Sequence, residues 1–295
     1  MHQVKSYAKI NLFLYVTERA PSGYHELLML MSCIELHDKL TVEFDQSEIT
    51  VICDHPDVPE NESNLVFKAV SIFFSSLTCK TGYLNRQGIR VTIEKNIPVG
   101  AGLGGGSSNA AAVLKVMNHY YGQPFSPQEL MTIAFKIGAD IPFFIDARTS
   151  IVKGFGEQIC PIGALSDLPE SILLFYPGVA ASTAEVYKNL DLGLTKQIKF
   201  NINSLLKTSG NNKMSDIDGI MHNDLEISAC ALYPEIGQFR KELIESVPQK
   251  IMMTGSGSTF FALFDDYIKA KHCYEALAKR WNKTGKRVFM TSFVV

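Results

Sequence analysis

Pro98-Val-Gly-Ala-Gly-Leu-Gly-Gly-Gly-Ser-Ser-Asn109 is the stretch from which the rest of this chain is read. Five glycines fall within the seven residues from Gly100 to Gly106, followed by Ser107, Ser108 and, after Asn109, a run of three alanines. Upstream, Ile89, Val91 and Ile93 alternate with polar residues, the period of a half-buried strand. Downstream, Asn109 to Tyr121 is alanine-rich and free of glycine and proline, which predicts a helix. A strand, a glycine loop and a helix N-terminus together make an anion site. Glycine lets the backbone approach closely and take positive φ, while unpaired N–H groups and the helix dipole favour phosphate.

A flexible linker is the plain alternative, but a linker is not followed at once by a run of good helix formers. Gly100, Gly102 and Gly105 also satisfy the G-x-G-x-x-G of dinucleotide folds. That fold wants an acidic residue about 20 positions further on, at the end of the next strand. Here the region is Tyr120-Tyr-Gly-Gln-Pro-Phe125, with neither a carboxylate nor a strand pattern. A Walker A loop needs Gly-Lys-Ser/Thr, and no lysine falls between Lys95 and Lys115. The loop is a phosphate loop of a third kind.

With 295 residues, 46% hydrophobic and 20% charged, the chain is long and apolar enough for one large globular domain or two ordinary ones. A net charge of −2 argues against a dedicated nucleic-acid binder. The N-terminal residues lack the apolar core of a secretion signal and no run is long enough to span a membrane. Cys33, Cys53, Cys79, Cys160, Cys230 and Cys273 are scattered without metal or disulfide spacing, which fits a cytoplasmic protein.

Val4 to Val16 reads as a strand with Ile10, Leu12 and Leu14 on one face, and Ile34 to Phe44 and Ile49 to Cys53 as two more. Leu28 to Met31 reads as core. Asn64 can cap a helix from Leu65 to about Ser76, and Ser126-Pro-Gln-Glu129 is a capping box with proline at its first helical position, its helix closed by Gly138. Pro161, Gly163, Asp167 and Pro169 break any pattern between Ile159 and Glu170 and suggest a boundary, giving domains 1–160 and 161–295. Beyond it come a strand (Ser171 to Tyr176), a helix opened by a second capping box at Ser182, and helices near Asp224 to Leu232 and Glu235 to Glu245. The end reads strand (Lys250 to Thr254), strand (Thr259 to Phe264), helix (Asp266 to Trp281), strand (Arg287 to Val294). With the extra helices set aside, the second half is β-α-β-β-α-β, the ferredoxin-like order. The fold class is α+β.

Three segments together resemble the GHMP small-molecule kinases: Ala8-Lys-Ile-Asn-Leu12, the loop Pro98 to Asn109, and Thr254-Gly-Ser-Gly-Ser258. Gly23-Tyr-His-Glu-Leu27, Asn64-Leu-Val66 and Gly138-Ala-Asp-Ile-Pro-Phe-Phe144 carry the resemblance over nearly the whole chain. They narrow it to the branch that acts on a cytidylated sugar alcohol, 4-diphosphocytidyl-2-C-methyl-D-erythritol. The family usually has aspartate before Gly-Tyr-His, where this chain has Ser22. The resemblance implies a two-domain fold, with an N-terminal domain like ribosomal protein S5 domain 2 and a C-terminal ferredoxin-like domain. It also implies an ATP- and Mg²⁺-dependent kinase of isoprenoid precursor synthesis by the non-mevalonate route, with a small-molecule substrate and no nucleic acid, membrane or obligate protein partner.

The same resemblance gives residues roles. Asp140 would accept the proton of the attacking hydroxyl, and Lys9 would hold that carboxylate ionised and stabilise the reacting oxygen or phosphate. A carboxylate of ordinary pKa, about 4, is a weak base, but in a loose transition state the proton leaves late and orientation counts for more. Pro98, Gly100, Gly102, Leu103, Gly104, Gly105, Gly106, Ser107 and Ser108 would bind ATP, the backbone N–H groups from Gly102 to Ser108 cradling the β- and γ-phosphates, with Ser107 as the hydroxyl near Mg²⁺. Asn64, Lys95 and Asn96 would face adenine, although Asn64 reads equally as a helix cap. Tyr24, His25 and Tyr187 would receive the cytosine ring. By themselves, His25 is also an ordinary loop histidine and Tyr187 ordinary helix packing. Asn11 would bond the sugar alcohol, and Thr254, Gly255 and Ser256 would bring further N–H groups to the substrate, or form a plain turn between two strands. Gly154-Phe-Gly-Glu157 and Asn223-Asp-Leu-Glu226 read as a turn and as a helix start capped by Asn223. The rivals are another kinase of the family, acting on mevalonate, homoserine or a sugar, and a catalytically silent nucleotide-binding regulator. A dehydrogenase is disfavoured by the missing acidic residue.

Overall fold

The strand expected at Val4 to Val16 runs further, as β1 (His2–Arg19), and residues 8–16 are buried on both faces rather than one. A computed structural model of the protein describes residues 1–19, 25–82, 88–162, 168–190 and 217–294. The chain divides into two compact units.

The first unit comprises Met1–Ala8, Leu36–Val99 and Gly104–Arg148. Its sheet is built from the start of β1, the later part of β2 (His25–Gln46), β3 (Ile49–Cys53) and β4 (Gly88–Glu94). Strand β4 lies antiparallel to β2, pairing Lys39 with Glu94 and Val42 with Val91, and parallel to β3. The alternating Ile89, Val91 and Ile93 of β4 are all buried to 1% exposure or less. Helix α1 (Leu65–Thr81) packs on α2 (Gly105–Tyr120) with Val66, Ala69, Val70 and Phe73 buried. Burying a side chain as large as Phe73 contributes about 1.5–3 kcal/mol. Helices α3 (Pro127–Phe135) and α4 (Ile141–Asp146) complete the unit.

Two local expectations shift here. Helix α1 continues past Ser76 because nothing stops it before Gly82, which takes φ +74 and donates its N–H to Thr78. Helix α2 starts at Gly105, not Asn109: Gly104 closes the loop at φ +70, and the glycines that follow are already helical. The capping box at Ser126 forms in both directions, while α3 ends at Phe135, with Ile137 and Gly138 bonding back to Ala134.

The second unit comprises Lys9–Glu35, Gly100–Leu103 and Thr149–Val295. The early part of β2 pairs antiparallel with β5 (Ser150–Gly154), which pairs with β6 (Gln158–Pro161). Strand β6 lies where the pattern suggested only a boundary. It is a short, mostly exposed edge with no alternation to announce it. A separate antiparallel sheet contains β7 (Ser171–Tyr176), β9 (Ile251–Met253), β10 (Phe260–Phe264) and β11 (Arg287–Thr291) in the order β11-β7-β10-β9. Numbered as a β-α-β-β-α-β chain this is 4-1-3-2, all antiparallel, the ferredoxin-like arrangement expected.

The remaining elements of this unit are α5 (Thr183–Lys188), α6 (Ile217–Ile220), β8 (His222–Asn223), α7 (Leu225–Leu232), α8 (Pro234–Ser246) and α9 (Tyr267–Arg280). Phe239 of α8 meets Phe260 and Trp281 at ring-centroid distances of 6.2 and 5.2 Å, sealing helices to sheet. Strand β8 runs parallel to β1 with Phe13 opposite His222 and Leu14 opposite Asn223. Ser182 caps α5 by accepting from the Glu185 N–H. No helix among the described residues is long and apolar enough to cross a membrane.

Candidate active site

In the first unit the N-terminus of α2 leaves backbone N–H groups without intrahelical partners. The N–H groups of Gly105, Gly106 and Ser107 precede the first intrahelical bond, which runs from Ser108 N–H to Gly104 O at 2.8 Å. Ser108 therefore has its amide committed, and its buried hydroxyl accepts from Ser6 Oγ at 2.7 Å. Ser107 is half-buried and its hydroxyl has no partner among the described residues. Of the two serines it is the one open to a ligand.

Entry to the loop is controlled by a residue that sequence reasoning missed. Asp38, fully buried on β2, accepts the Lys95 ammonium at 2.7 Å and the N–H groups of Asn96 and Ile97 at 2.8 Å each. Lys95 also donates to Ile97 O at 2.6 Å. A Cβ on Gly105 would stand 2.9 Å from that ammonium and 3.0 Å from the Ile97 side chain. The ammonium therefore lies against the first turn of α2, where an unpaired cation would oppose the helix dipole; Asp38 offsets it. Asn96 is exposed, its side chain donating to His37 O at 3.2 Å, and Pro98 is buried. Asn64 serves as the cap of α1, accepting from Val66 N–H at 2.8 Å and donating to Pro59 O at 2.5 Å. Both ends of its amide are in use.

Asp140 takes the N-cap position of α4, yet its carboxylate makes no capping bond. It is partly exposed and has no hydrogen-bond or ion-pair partner among the described residues. A carboxylate in a cap position that leaves the cap unmade is free for other work.

The second unit assembles the other group. Lys9 is 3% exposed, its main chain donates to Leu103 O at 3.0 Å and its ammonium to Asn11 Oδ1 at 2.6 Å. Asn11 is itself locked: its N–H donates to Thr254 Oγ1 at 3.0 Å and its Nδ2 contacts Met29 Sδ at 3.4 Å. The residue expected on the sugar alcohol is thus the one that orients Lys9. Thr254, Gly255 and Ser256 follow β9 in a turn to β10, so the plain-turn reading holds as geometry. That turn also presses against the glycine segment. A Cβ on Gly102 would be 2.2 Å from Thr254 O, and one on Gly255 would be 2.9 Å from Gly102 O and 3.1 Å from Lys9 Nζ. Thr259 N–H bonds Ala101 O at 3.2 Å, and Ala181 N–H bonds Gly100 O at 3.0 Å. Ser256 exchanges a hydrogen bond with Thr183 at 2.8 Å.

His25 and Tyr187, more than 160 positions apart in sequence, stack with centroids 5.4 Å apart and planes 27° from parallel. His25 is the first residue of β2 rather than a loop residue, because β2 continues to pair with β5. Partial burial, and then the Arg19 charge, hold its pKa below the ordinary histidine value. Tyr24 and Ser22 lie outside the described residues. Asn223 sits in β8, one position before the N-cap residue Asp224, and its side chain does cap α7: Oδ1 accepts from Leu225 N–H at 2.9 Å, while Nδ2 bonds Met253 O and Gly255 O. The Met253 and Gly255 partners are 30 and 32 positions away, so no local pattern reveals them.

Comparison with known proteins gives a consistent result. Two family models match: GHMP kinases N terminal domain over residues 64–148, and GHMP kinases C terminal over residues 204–283. The chain is 38% identical over 291 residues to 4-diphosphocytidyl-2-C-methyl-D-erythritol kinase of Clostridium beijerinckii, covering 98% of this chain and 99% of that one. It is 37% identical to the protein of the same name from Alkaliphilus metalliredigens, covering 96% and 94%. Among solved structures it is similar to a 4-(cytidine 5'-diphospho)-2C-methyl-D-erythritol kinase, with a TM-score of 0.76, 30% identity and full coverage of both chains. Homoserine kinase from Cytophaga hutchinsonii shares the fold, with a TM-score of 0.71 at 19% identity over 99% and 95% of the chains.

Proposed function

The chain belongs to the GHMP kinases and, within them, to the 4-diphosphocytidyl-2-C-methyl-D-erythritol kinases, and from that membership we propose that it transfers the γ-phosphoryl group of ATP to the 2-hydroxyl of 4-diphosphocytidyl-2-C-methyl-D-erythritol. The reaction would serve isoprenoid precursor synthesis in the cytoplasm, without a nucleic-acid, membrane or obligate protein partner. The division into domains 1–160 and 161–295 stays a proposal for the sequence order of the two family segments; the compact units interleave the chain, the second also taking Lys9–Glu35 and Gly100–Leu103 and starting again at Thr149.

The β- and γ-phosphates lie at the first turn of α2, where the N–H groups of Gly105, Gly106 and Ser107 point and the dipole is positive. Lys95 and Asp38 form a closed buried pair against Gly105 that shapes this end of the loop without adding net charge. Exposed Asn96 is the residue of Asn64, Lys95 and Asn96 best able to face adenine, since the Asn64 amide and the Lys95 ammonium are both bonded within the protein. A magnesium ion arriving with ATP would supply charge neutralisation for the transferring phosphoryl group. The observation that bears on such an ion is the half-buried Ser107 hydroxyl, which has no partner among the described residues. Among the described residues no three His, Cys, Asp or Glu side chains gather to cage a metal, and a phosphate-bound magnesium needs few protein ligands. The Ser107 hydroxyl is the candidate ligand.

Asp140 orients the 2-hydroxyl and takes its proton as the new O–P bond forms and the bond to the leaving ADP oxygen breaks. Lys9, held in one rotamer by Asn11, stabilises the reacting oxygens. Such a transfer has a loose transition state, so fixed placement supplies most of the acceleration. Asn11 sets the ammonium, and Gly255 and Ser256 are the N–H groups of the turn offered to the substrate; the Thr254 N–H, expected to join them, is instead donated to Thr259 O at 2.9 Å. The observation that carries the choice of substrate is the ring pair of His25 and Tyr187. A cytosine base finds there a neutral imidazole for its edge and an aromatic face; mevalonate or homoserine has no use for either. The test is ADP release measured with 4-diphosphocytidyl-2-C-methyl-D-erythritol, mevalonate and homoserine in parallel. A kcat/KM highest for the cytidylated alcohol supports the reading, and a higher value for either of the others defeats it.

A further inference from the structure

Asn223 is more than nine-tenths buried, and its side-chain amide is used at both ends. Oδ1 accepts from Leu225 N–H at 2.9 Å; Nδ2 donates to Met253 O at 2.6 Å and to Gly255 O at 2.8 Å. An amide NH₂ carries two donors, and two carbonyls on either side of Thr254 take both.

The turn it grips is one that needs gripping. Gly255 and Gly257 have φ of +58 and +89, so two of its residues belong to the type with the widest choice of backbone conformations. That same turn sets the surroundings of Lys9. Thr254 Oγ1 accepts the Asn11 N–H, and the Gly255 backbone comes so close that a Cβ there would stand 3.1 Å from Lys9 Nζ.

Neighbours of Asn223 add struts to both sides. Leu14 of β1, the strand that carries Lys9 and Asn11, is registered opposite Asn223. Asp224 Oδ2 accepts from Val16 N–H at 2.7 Å, further along that strand. Glu226 Oε2 accepts from Met253 N–H at 2.9 Å, and its other oxygen is held by Arg240 Nε at 2.5 Å. Three side chains of Asn223-Asp-Leu-Glu226 thus tie β1 to the end of β9. Only Asn223 reaches into the turn.

We infer that Asn223 is a positioning residue for phosphoryl transfer, holding the Gly255 turn so that the Lys9 ammonium keeps a single place. This rests on the role proposed for Lys9. A displaced ammonium weakens stabilisation of the transition state more than it weakens ATP binding, so the loss falls on kcat.

Two variants of the full chain separate this from a role in stability alone. Asn223→Asp keeps the size and the acceptor toward Leu225 but turns the two donors into an oxygen facing two carbonyls; Asn223→Ala removes the group. Steady-state kinetics with ATP and 4-diphosphocytidyl-2-C-methyl-D-erythritol are read beside amide hydrogen exchange by mass spectrometry. The expected result is a kcat lower by about 10²-fold with KM for ATP within about threefold of native. Exchange should quicken about tenfold in residues 254–258 and stay native elsewhere. Native kcat in both variants overturns the inference, as does faster exchange spread over the whole chain, which would make Asn223 a stability residue only. If the native protein phosphorylates homoserine or mevalonate instead, the substrate reading fails by itself and the variants are compared on that alcohol.

Discussion

Asp38 accepts the Lys95 ammonium at 2.7 Å with the carboxylate fully buried and the lysine side chain 5% exposed. The pair joins β2 to the segment leading into the glycine loop, and Asp38 also receives the N–H groups of Asn96 and Ile97. Removing one member leaves the other charge buried. Asp38→Asn should therefore lower unfolding free energy by about 3–5 kcal/mol in a denaturant titration. A loss within the ±0.5 kcal/mol or so typical of surface substitutions would mean that the pair is not buried in solution.

Asp140 offers the opposite case, a carboxylate with no bond to lose. Asp140→Asn should reduce kcat by a factor on the order of 10²–10⁴, the usual worth of a positioned base, while the denaturation midpoint stays native. A variant with near-native kcat would remove Asp140 from the chemistry.

Glycine positions separate strain from placement. At Gly82, with φ +74, a Cβ would meet nothing within 4 Å, whereas a Cβ on Gly255 at φ +58 meets Gly102 O and Lys9 Nζ. Gly82→Ala should cost about 1–2 kcal/mol of stability from its left-handed backbone and leave kcat alone. Gly255→Ala should cost more and lower kcat as well. Equal effects of the two on both quantities would contradict the close packing beside Lys9.

The lowered pKa of His25 gives a pH signature. Because burial holds the folded value below the ordinary one of about 6.5, the unfolded chain binds the proton more readily. This residue's contribution to stability is therefore present above that range and is lost as pH falls through it toward the folded value. Function should follow the same sign: KM for the cytidylated substrate should be flat near neutrality and rise only below the ordinary histidine pKa, as the imidazole gains its proton. In His25→Gln that rise should vanish. A rise that starts above pH 6.5, or that survives in the variant, would place the titrating group elsewhere.

Local signals in the sequence carry the elements well. The alternation of Ile89, Val91 and Ile93, the cap at Asn64 and the box at Ser126 each depend on neighbours within a few positions, and each forms. Helix α2 begins before the alanine run that announces it, because glycines look like loop. Gly105 is there to admit Lys95 and Ile97 at close range, not to be flexible. Strand β2 extends to His25 because β5, more than a hundred residues on, supplies its partner. Asp38 stays hidden for the same reason, with partners 57 to 59 positions away. Asn223 is legible as the cap of α7, but its bonds to Met253 O and Gly255 O, 30 and 32 positions away, are made only by the fold. The motif residues Lys9, His25 and Asp140 are legible through family resemblance, since no spacing rule brings them to notice alone.

Phosphoryl transfer to one hydroxyl is read most directly from the product. Purified protein would be incubated with ATP, Mg²⁺ and 4-diphosphocytidyl-2-C-methyl-D-erythritol, and the product examined by ³¹P NMR. The expected result is a new phosphomonoester on the 2-hydroxyl, formed in step with ADP. ATP hydrolysed without that resonance, or a phosphate carried on another oxygen, would contradict it.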